Sequence, residues 1–233
     1  MKRLLYLLLL RFLLISCTDL GKNQLQIAQS YLDTYPDSTL IYLEEINPSE
    51  LSSKVYMEYL LTMTQARHKT GQDISNDTLL FAYKEQFRKF PDHQAAWFYL
   101  YTGKIYYEQG NFDKSLAEFI KCEDLITNDL YFSAMLQMSY ANLHFSKLEL
   151  KAAISYYQQA VENFKTIKDW QNTSICYNYL GNCFLYKDSI DKAFMYYDKC
   201  TEYKHYWTPL QEAQMIINIA QAYQIKGDNK NRC

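Results

Sequence analysis

The chain has 233 residues, with 24 lysines and arginines against 26 aspartates and glutamates, and a formal net charge of −2 at pH 7. This slightly acidic balance argues against nucleic acid as a partner, because phosphate binding needs a basic surface. Only 6 glycines and 4 prolines occur beside 23 tyrosines and 12 phenylalanines, so the composition favours long helices joined by few turns.

The first 16 residues are predicted to be a signal peptide. Met1-Lys2-Arg3 is a basic start, and Leu4 to Ser16 is an apolar run interrupted by Arg11. The run is too short for a stable spanning helix, which needs about 20 apolar residues. Leu14-Ile15-Ser16-Cys17 resembles the lipobox of bacterial lipoproteins, whose cysteine carries the lipid. The alternative is an ordinary apolar start that happens to contain a cysteine.

The lipobox resemblance implies a protein of the cell envelope, lipid-anchored through Cys17 on a periplasmic face or at the cell surface. Removal of residues 1–16 would leave 21 basic against 26 acidic residues, a formal charge of about −5. That charge disfavours both nucleic acid and an anionic lipid surface as partners of the remaining chain. Residues 17–23 are predicted to form a polar tether.

Residues 24–95 are predicted to form two helical hairpins. Each predicted helix has apolar residues at helical spacing between capping or helix-breaking residues. The predicted helices are Gln24–Thr34 before Pro36, Thr39–Ile46 after Asp37-Ser38 and before Asn47-Pro48, Ser49 or Ser52 to Lys69 before Gly71, and Thr78–Phe90 after Asn76-Asp77 and before Pro91.

From residue 96 onward one spacing recurs four times. A small residue in a first helix is followed by an aromatic residue, a turn, and a second helix with a small–aromatic–small triplet. The small residues are 103, 141, 181 and 220, so the steps are 38, 40 and 39. The copies are Gly103 with Tyr106, Gly110, Ser115, Phe119 and Cys122; Ala141 with His144, Ala153, Tyr157 and Ala160; Gly181 with Phe184, Ala193, Tyr197 and Cys200; and Ala220 with Tyr223 and Gly227.

This spacing resembles the tetratricopeptide repeat, in which the small residue lets the second helix cross the first closely. The resemblance covers residues 96–233, with the last repeat incomplete and its turn at Gly227. Because the usual period is 34 residues, the excess predicts helices longer by about half a turn. The resemblance implies an all-α, right-handed α-solenoid of about ten helices.

Residues 24–95 also resemble the N-terminal half of a family of lipid-anchored bacterial repeat proteins. The segments that carry this resemblance are Tyr31–Ser38, Leu43–Ser49 and Leu60–Arg67. Longer members continue into a membrane helix and a signalling or DNA-binding domain, so the resemblance implies a scaffold or the sensory half of a regulator.

No enzyme, cofactor or metal site is predicted. The sequence lacks a glycine-rich phosphate loop and the HExxH, GxSxG and CxxC motifs, and its four histidines are scattered. Cys122 and Cys200 occupy small-residue positions of the repeat, and Cys176 and Cys183 are two helical turns apart, so buried free thiols are predicted rather than disulfides.

The inner face of the first helices is predicted to be a binding groove for a protein or peptide. Amide side chains can bond a peptide main chain, while methionine and aromatic groups accept its side chains. The predicted groove residues are Trp97, Leu100, Lys104, Tyr107, Met135, Met138, Asn142, Phe145, Asn178, Asn182, Leu185 and Gln221. Only Lys104 is basic, which disfavours a C-terminal carboxylate as ligand. The alternative is that much of this row packs between helices.

The leading functional hypothesis is a lipid-anchored interaction module that binds a protein or peptide. The alternative is a glycan-handling or glycan-binding lipoprotein of the outer membrane, in which Trp97, Tyr101 and Tyr107 would stack on sugar rings.

Overall fold

The computed structural model describes residues 21–125 and 128–230, with side chains as far as residue 227. Over these residues the chain is helical without a β-strand, so the all-α prediction is confirmed. The chain divides into two compact units, residues up to Ser115 and residues from Leu116. The helices are α1 (21–31), α2 (Pro36–Glu44), α3 (Ser53–Lys69), α4 (Lys84–Phe87), α5 (Asp92–Glu108), α6 (Phe112–Glu123), α7 (Leu130–Ser146), α8 (Leu150–Thr166), α9 (Trp170–Tyr186), α10 (Ile190–Thr201) and α11 (Pro209–Lys230).

The N-terminal helices differ from the prediction at their boundaries. Residues 21–23 are already helical rather than part of a tether, and the rest of the predicted tether and signal peptide lies outside the described residues. Pro36 begins α2 instead of only ending the helix before it. Its fixed φ suits the first helical position, and its missing N–H would have no partner there anyway.

Helix α3 has the predicted boundaries. Ser52 is its N-cap, and the Ser52 side chain accepts a hydrogen bond from the Val55 amide. After its C-terminus Gly71 takes a left-handed φ of 77°, and the amide of Gln72 bonds back to the Arg67 carbonyl at 2.9 Å. This is the usual way in which glycine closes a helix.

The predicted helix over residues 78–90 is wrong, because the segment forms two short pieces. Thr78–Tyr83 is a 3₁₀ helix, and only Lys84–Phe87 is α-helical. The Asp77 side chain makes no capping bond and instead accepts a hydrogen bond from the Arg67 guanidinium. The side chain that was expected to cap a long helix is therefore hydrogen-bonded to a residue of α3.

The three helices α7, α8 and α9 each contain 17 residues. The turns after the first helices repeat one conformation, since Gly110, Leu148 and Asp188 all have positive φ values of 72°, 58° and 56°. These residues are 38 and 40 apart, as the small residues before them are. The common turn therefore confirms the repeat register over these three copies.

The small residue of the first helix lies against the central aromatic residue of the second in the α9–α10 hairpin. A Cβ added to Gly181 would lie 2.3 Å from Cε1 of Tyr197, and Tyr197 is only 1% exposed. In the preceding hairpin the equivalent residues Ala141 and Tyr157 are both fully buried. The predicted crossing contact is thus confirmed at Gly181.

The fourth copy of the repeat does not form the predicted hairpin. Helix α11 continues through Gly227 to Lys230, so the predicted turn at Gly227 is wrong. Ala220, predicted to be a crossing contact, is exposed, whereas Met215 and Ala222 are buried. The helix packs against α9 and α10 through the face that contains these two residues.

Four of the cysteines lie within the described residues, and all four are free and buried: Cys122, Cys176, Cys183 and Cys200. Burial raises the pKa of the Cys183 thiol to about 12 and that of Cys200 to about 11. It also raises the pKa values of Cys122 and Cys176. All four are thus buried free thiols, as predicted, and Cys122 and Cys200 are buried at the small-residue positions of the repeat.

Candidate functional site

The predicted groove residues divide into buried and accessible groups. Five of them are less than 9% exposed and so cannot offer a contact surface to a partner, which corrects their assignment: Leu100, Lys104, Met135, Met138 and Leu185. Their burial agrees with the alternative that much of this row packs between helices. The accessible or half-buried members are Trp97, Tyr107, Asn142, Phe145, Asn178, Asn182 and Gln221.

One hydrogen bond recurs in the two hairpins of the second unit. The Tyr157 hydroxyl donates to Oδ1 of Asn142 at 2.5 Å, and the Tyr197 hydroxyl donates to Oδ1 of Asn182 at 2.7 Å. In both pairs the tyrosine is the buried central aromatic residue of the second helix. Because each oxygen is held from within the hairpin, the Nδ2 group of each asparagine is positioned as a donor.

Asn178 belongs to a second polar network, between α9 and α11. Nε2 of Gln214 donates to Oδ1 of Asn218 at 3.0 Å, and Nδ2 of Asn218 donates to Oδ1 of Asn178 at 2.8 Å. Asn178 lies one helical turn before Asn182 on α9. Three asparagines of this face thus accept through oxygen from inside the unit and keep their amide hydrogens for other acceptors.

Aromatic rings lie beside these asparagines. The Phe145 ring contacts the rings of Tyr179 and Tyr186 at centroid distances of 6.4 and 5.3 Å, both edge to face. Tyr179 also stacks on Tyr157 at 5.5 Å. Tyr186 is 59% exposed and was not among the predicted groove residues. Its position directly after Leu185 was the only feature of the sequence that pointed to it.

The aromatic residues predicted to stack on a sugar do not form that platform. Tyr101 is fully buried and its ring lies 6.1 Å from that of Trp97. Nε1 of Trp97 donates a hydrogen bond to Nε2 of His93 at 3.2 Å. Tyr107 packs instead on Phe112, with 5.8 Å between the ring centroids. The glycan-binding hypothesis therefore loses Tyr101, one of its three proposed stacking residues.

Lys104 is buried in the first unit beside His68. Its Nζ atom lies 3.4 Å from Nε2 of His68 and 5.2 Å from the centre of the Tyr101 ring. Burial, followed by the nearby charge of Lys69, lowers the pKa of Lys104 to about 7, while Glu108 acts in the opposite direction. Burial, followed by the charge of Lys104, also lowers the pKa of His68.

A sequence family model recognises one segment of the second unit. Residues 132–204 match the model described as a tetratricopeptide repeat. A search of the curated proteins returned no match to the chain.

Two solved structures share the fold. The crystal structure of BtubC (BKLC) from P. vanneervenii superposes with a TM-score of 0.59 at 16% identity, over 92% of this chain and 85% of that one. A chain of the APC/C hetero-tetramer Cut9–Hcn1 gives a TM-score of 0.58 at 18% identity, over 92% of this chain but only 42% of its own length. Residues 132–204 thus match the tetratricopeptide repeat in sequence, and the fold of the chain is of the tetratricopeptide type.

Proposed function

We propose that this chain is a lipid-anchored interaction module, a scaffold or sensory domain, which binds an extended segment of a partner protein on the second unit. The observation that carries the proposal is the orientation of Asn142, Asn178 and Asn182. Their oxygens accept hydrogen bonds from within the unit, so their amide groups can donate to the carbonyls of a bound main chain. Tetratricopeptide repeats generally mediate protein–protein interaction, which agrees with this role.

The side chains around the asparagines suit an uncharged, partly apolar segment. Phe145 and the exposed Tyr186 supply aromatic surface on which apolar or aromatic side chains can pack. The one basic residue of the predicted groove, Lys104, is buried in the other unit and offers no cation to a carboxylate. An internal segment of a partner fits this chemistry better than a C-terminus.

The donor role can be tested by changing one atom in each of two side chains. Asn142→Asp with Asn182→Asp keeps an oxygen that can accept from Tyr157 and Tyr197, but replaces each Nδ2 donor by a second acceptor. The probes are peptides selected from a random unstructured library for binding to the wild type. They should bind the double variant at least tenfold more weakly, because each lost hydrogen bond is worth about 1 kcal/mol. In addition, each carbonyl of the bound peptide would face a carboxylate instead of an amide donor.

The matched control is Gln159→Glu, which makes the same amide-to-acid change on the exposed surface of α8. Its affinity for the selected peptides should stay at the wild-type value. Equal affinity of the wild type and the Asn142→Asp, Asn182→Asp variant would contradict the proposal.

Anchoring by lipid on Cys17 is the second part of the proposal. None of the helices in the described part of the chain combines the length and apolarity that crossing a bilayer requires. Lipid on a cysteine would supply the attachment, and two acyl chains are enough for stable binding where one is marginal. Cys17 itself lies outside the described residues.

Replacement of Cys17 by serine should release the protein from membranes. Wild-type protein is expected to stay in the membrane fraction in high salt and to enter solution only with mild detergent. The variant is expected in the soluble fraction, or as a larger precursor if cleavage requires the lipid. Mass spectrometry that finds the wild-type N-terminus uncleaved and without lipid would refute the anchoring proposal.

A further inference from the structure

Asn178 differs from the two other asparagines of the proposed binding face in what holds its side chain. The oxygens of Asn142 and Asn182 accept hydrogen bonds from tyrosines of their own hairpins. The oxygen of Asn178 instead accepts from Nδ2 of Asn218 at 2.8 Å, and Asn218 belongs to α11, one repeat step of 40 residues later. The orientation of the Asn178 amide therefore depends on the docking of the next helix.

Asn218 is fixed at both ends of its amide group. It is only 6% exposed, and its Oδ1 accepts a hydrogen bond from Nε2 of Gln214 at 3.0 Å, one turn earlier on α11. An amide group has one acceptor end and one donor end. Turning Asn218 over by itself would place nitrogen against nitrogen at Gln214 and oxygen against oxygen at Asn178. The two contacts together thus hold the oxygen of Asn178 toward α11 and leave its Nδ2 group as a donor for other acceptors.

The position of Asn178 suits a second hydrogen bond to the same bound main chain. Asn178 and Asn182 are four residues apart on α9, which is about 6 Å along a helix. Alternate residues of an extended chain, whose carbonyls point the same way, are about 6.6 Å apart. The two amide groups can therefore donate to carbonyls two residues apart in one extended segment, provided that Asn218 holds the Asn178 amide in place.

The described contacts hold α11 to the second unit from one flank. Met215 and Ala222 are buried, and the Tyr223 ring packs on Phe194 of α10 with 4.6 Å between the ring centroids. Ile217, on the opposite flank, is 59% exposed. A helix with few buried apolar contacts is among the parts of a protein that open at low cost in free energy. The docking of α11 can therefore respond to a contact as small as one hydrogen bond.

We propose that α11 regulates this binding site, a role that rests on the proposed function of the face. Asn218 is a positioning residue, because it acts through Asn178 and holds the donor of that side chain ready for a carbonyl of the bound segment. Since coupling between two equilibria is reciprocal, a bound segment also stabilises the docked state of α11. Release of α11 would free the Asn178 oxygen to turn toward the bound carbonyl and would weaken binding.

A double-mutant cycle separates positioning from a structural role of Asn218. The probes are the same selected peptides, and the variants are Asn178→Ala, Asn218→Ala and the two changes together. Each single change should weaken peptide binding about fivefold, the value of one hydrogen bond. The double variant should bind no more weakly than Asn178→Ala, because Asn218 acts only through Asn178. The proposal fails if Asn218→Ala keeps the wild-type affinity, or weakens binding equally with and without Asn178.

The matched control for the cycle is Asn163→Ala. Nδ2 of Asn163 donates to Oε1 of Gln137 at 2.9 Å, so this change breaks the same kind of amide contact between α8 and α7. Its affinity for the selected peptides should stay at the wild-type value. Thermal unfolding checks that each variant remains folded.

Hydrogen exchange tests the reciprocal effect in the wild type, without any change in α11. At saturating peptide the α11 amides should exchange more slowly than in the free protein, and Asn178→Ala at equal saturation should lose most of this protection. Unchanged α11 exchange in the wild type would overturn the proposal. If Asn142→Asp, Asn182→Asp loses affinity while Asn218→Ala keeps it, only the role of α11 is overturned. If both bind like the wild type, the proposed function is overturned as well.

Discussion

Replacing Gly181 with leucine is expected to destabilise the second unit by at least about 3 kcal/mol, at the upper end of the usual cost of overpacking. Even the first added carbon would lie 2.3 Å from Cε1 of Tyr197. The ring cannot move away easily, because Tyr197 is 1% exposed and its hydroxyl is bonded to Asn182 at 2.7 Å. A leucine therefore has to separate α9 from α10.

Thermal and urea unfolding of the full chain would measure this loss. Tyr197→Ala combined with Gly181→Leu should recover part of it, because the smaller residue vacates the space that the leucine needs. Gly227→Ala is the matched control, since Gly227 is helical and has no atom within 4 Å of an added Cβ. That change should raise stability by about 0.5–1 kcal/mol. A Gly181→Leu protein that unfolds like the wild type would show that the close crossing of α9 and α10 at this position contributes nothing to stability.

The first unit is expected to lose stability as the pH falls from 9 to 7, because Lys104 is buried with a pKa of about 7. An unfolded lysine has a pKa near 10.4, so in this range the unfolded chain binds more protons than the folded one. Stability then rises with pH, and the Lys104 contribution changes by about 2 kcal/mol between pH 7 and pH 9. His68, whose Nε2 lies 3.4 Å from Nζ of Lys104, also has a lowered pKa. At pH values below the ordinary pKa of histidine, its protonation would therefore oppose folding further.

Lys104→Met should remove this pH dependence and make the first unit more stable at pH 7. Hydrogen exchange of the α3 and α5 backbones at several pH values would report on the unit directly. Lys54→Met, at an exposed position of α3, should leave the pH dependence unchanged. A wild type whose α3 and α5 exchange protection does not change with pH, after correction for intrinsic rates, would rule out the buried charge.

The helices and their crossing contacts could be predicted from the sequence where one side chain has one available role. Ser52 and Gly71 bound α3 as predicted, because a cap and a left-handed glycine act on adjacent backbone. Asp77 was predicted to cap a helix, but a distant guanidinium, that of Arg67, takes its carboxylate. Gly227 resembles Gly110 in sequence, yet it continues a helix because no second helix packs there within the described residues.

The candidate site was predictable only in part, for a similar reason. The repeat spacing places Leu100 and Asn142 on the same face, but it does not tell which of them a neighbouring helix covers. The structure buries Leu100 completely and leaves Asn142 half-buried, with its oxygen bonded to Tyr157. Orientation of the amides depends on this contact between residues 15 apart, which periodicity alone does not reveal.

The four buried thiols affect how the protein survives an oxidising compartment. Thiolate is the species that reacts with oxidants, and the raised pKa values leave almost none of it in the folded chain. Unfolding gives these four cysteines ordinary reactivity, and because none of the four forms a disulfide in the folded chain, any bridge between them is non-native. Oxidation would therefore remove unfolded chains irreversibly. The lifetime of the protein in such a compartment would then depend on how rarely its helices open.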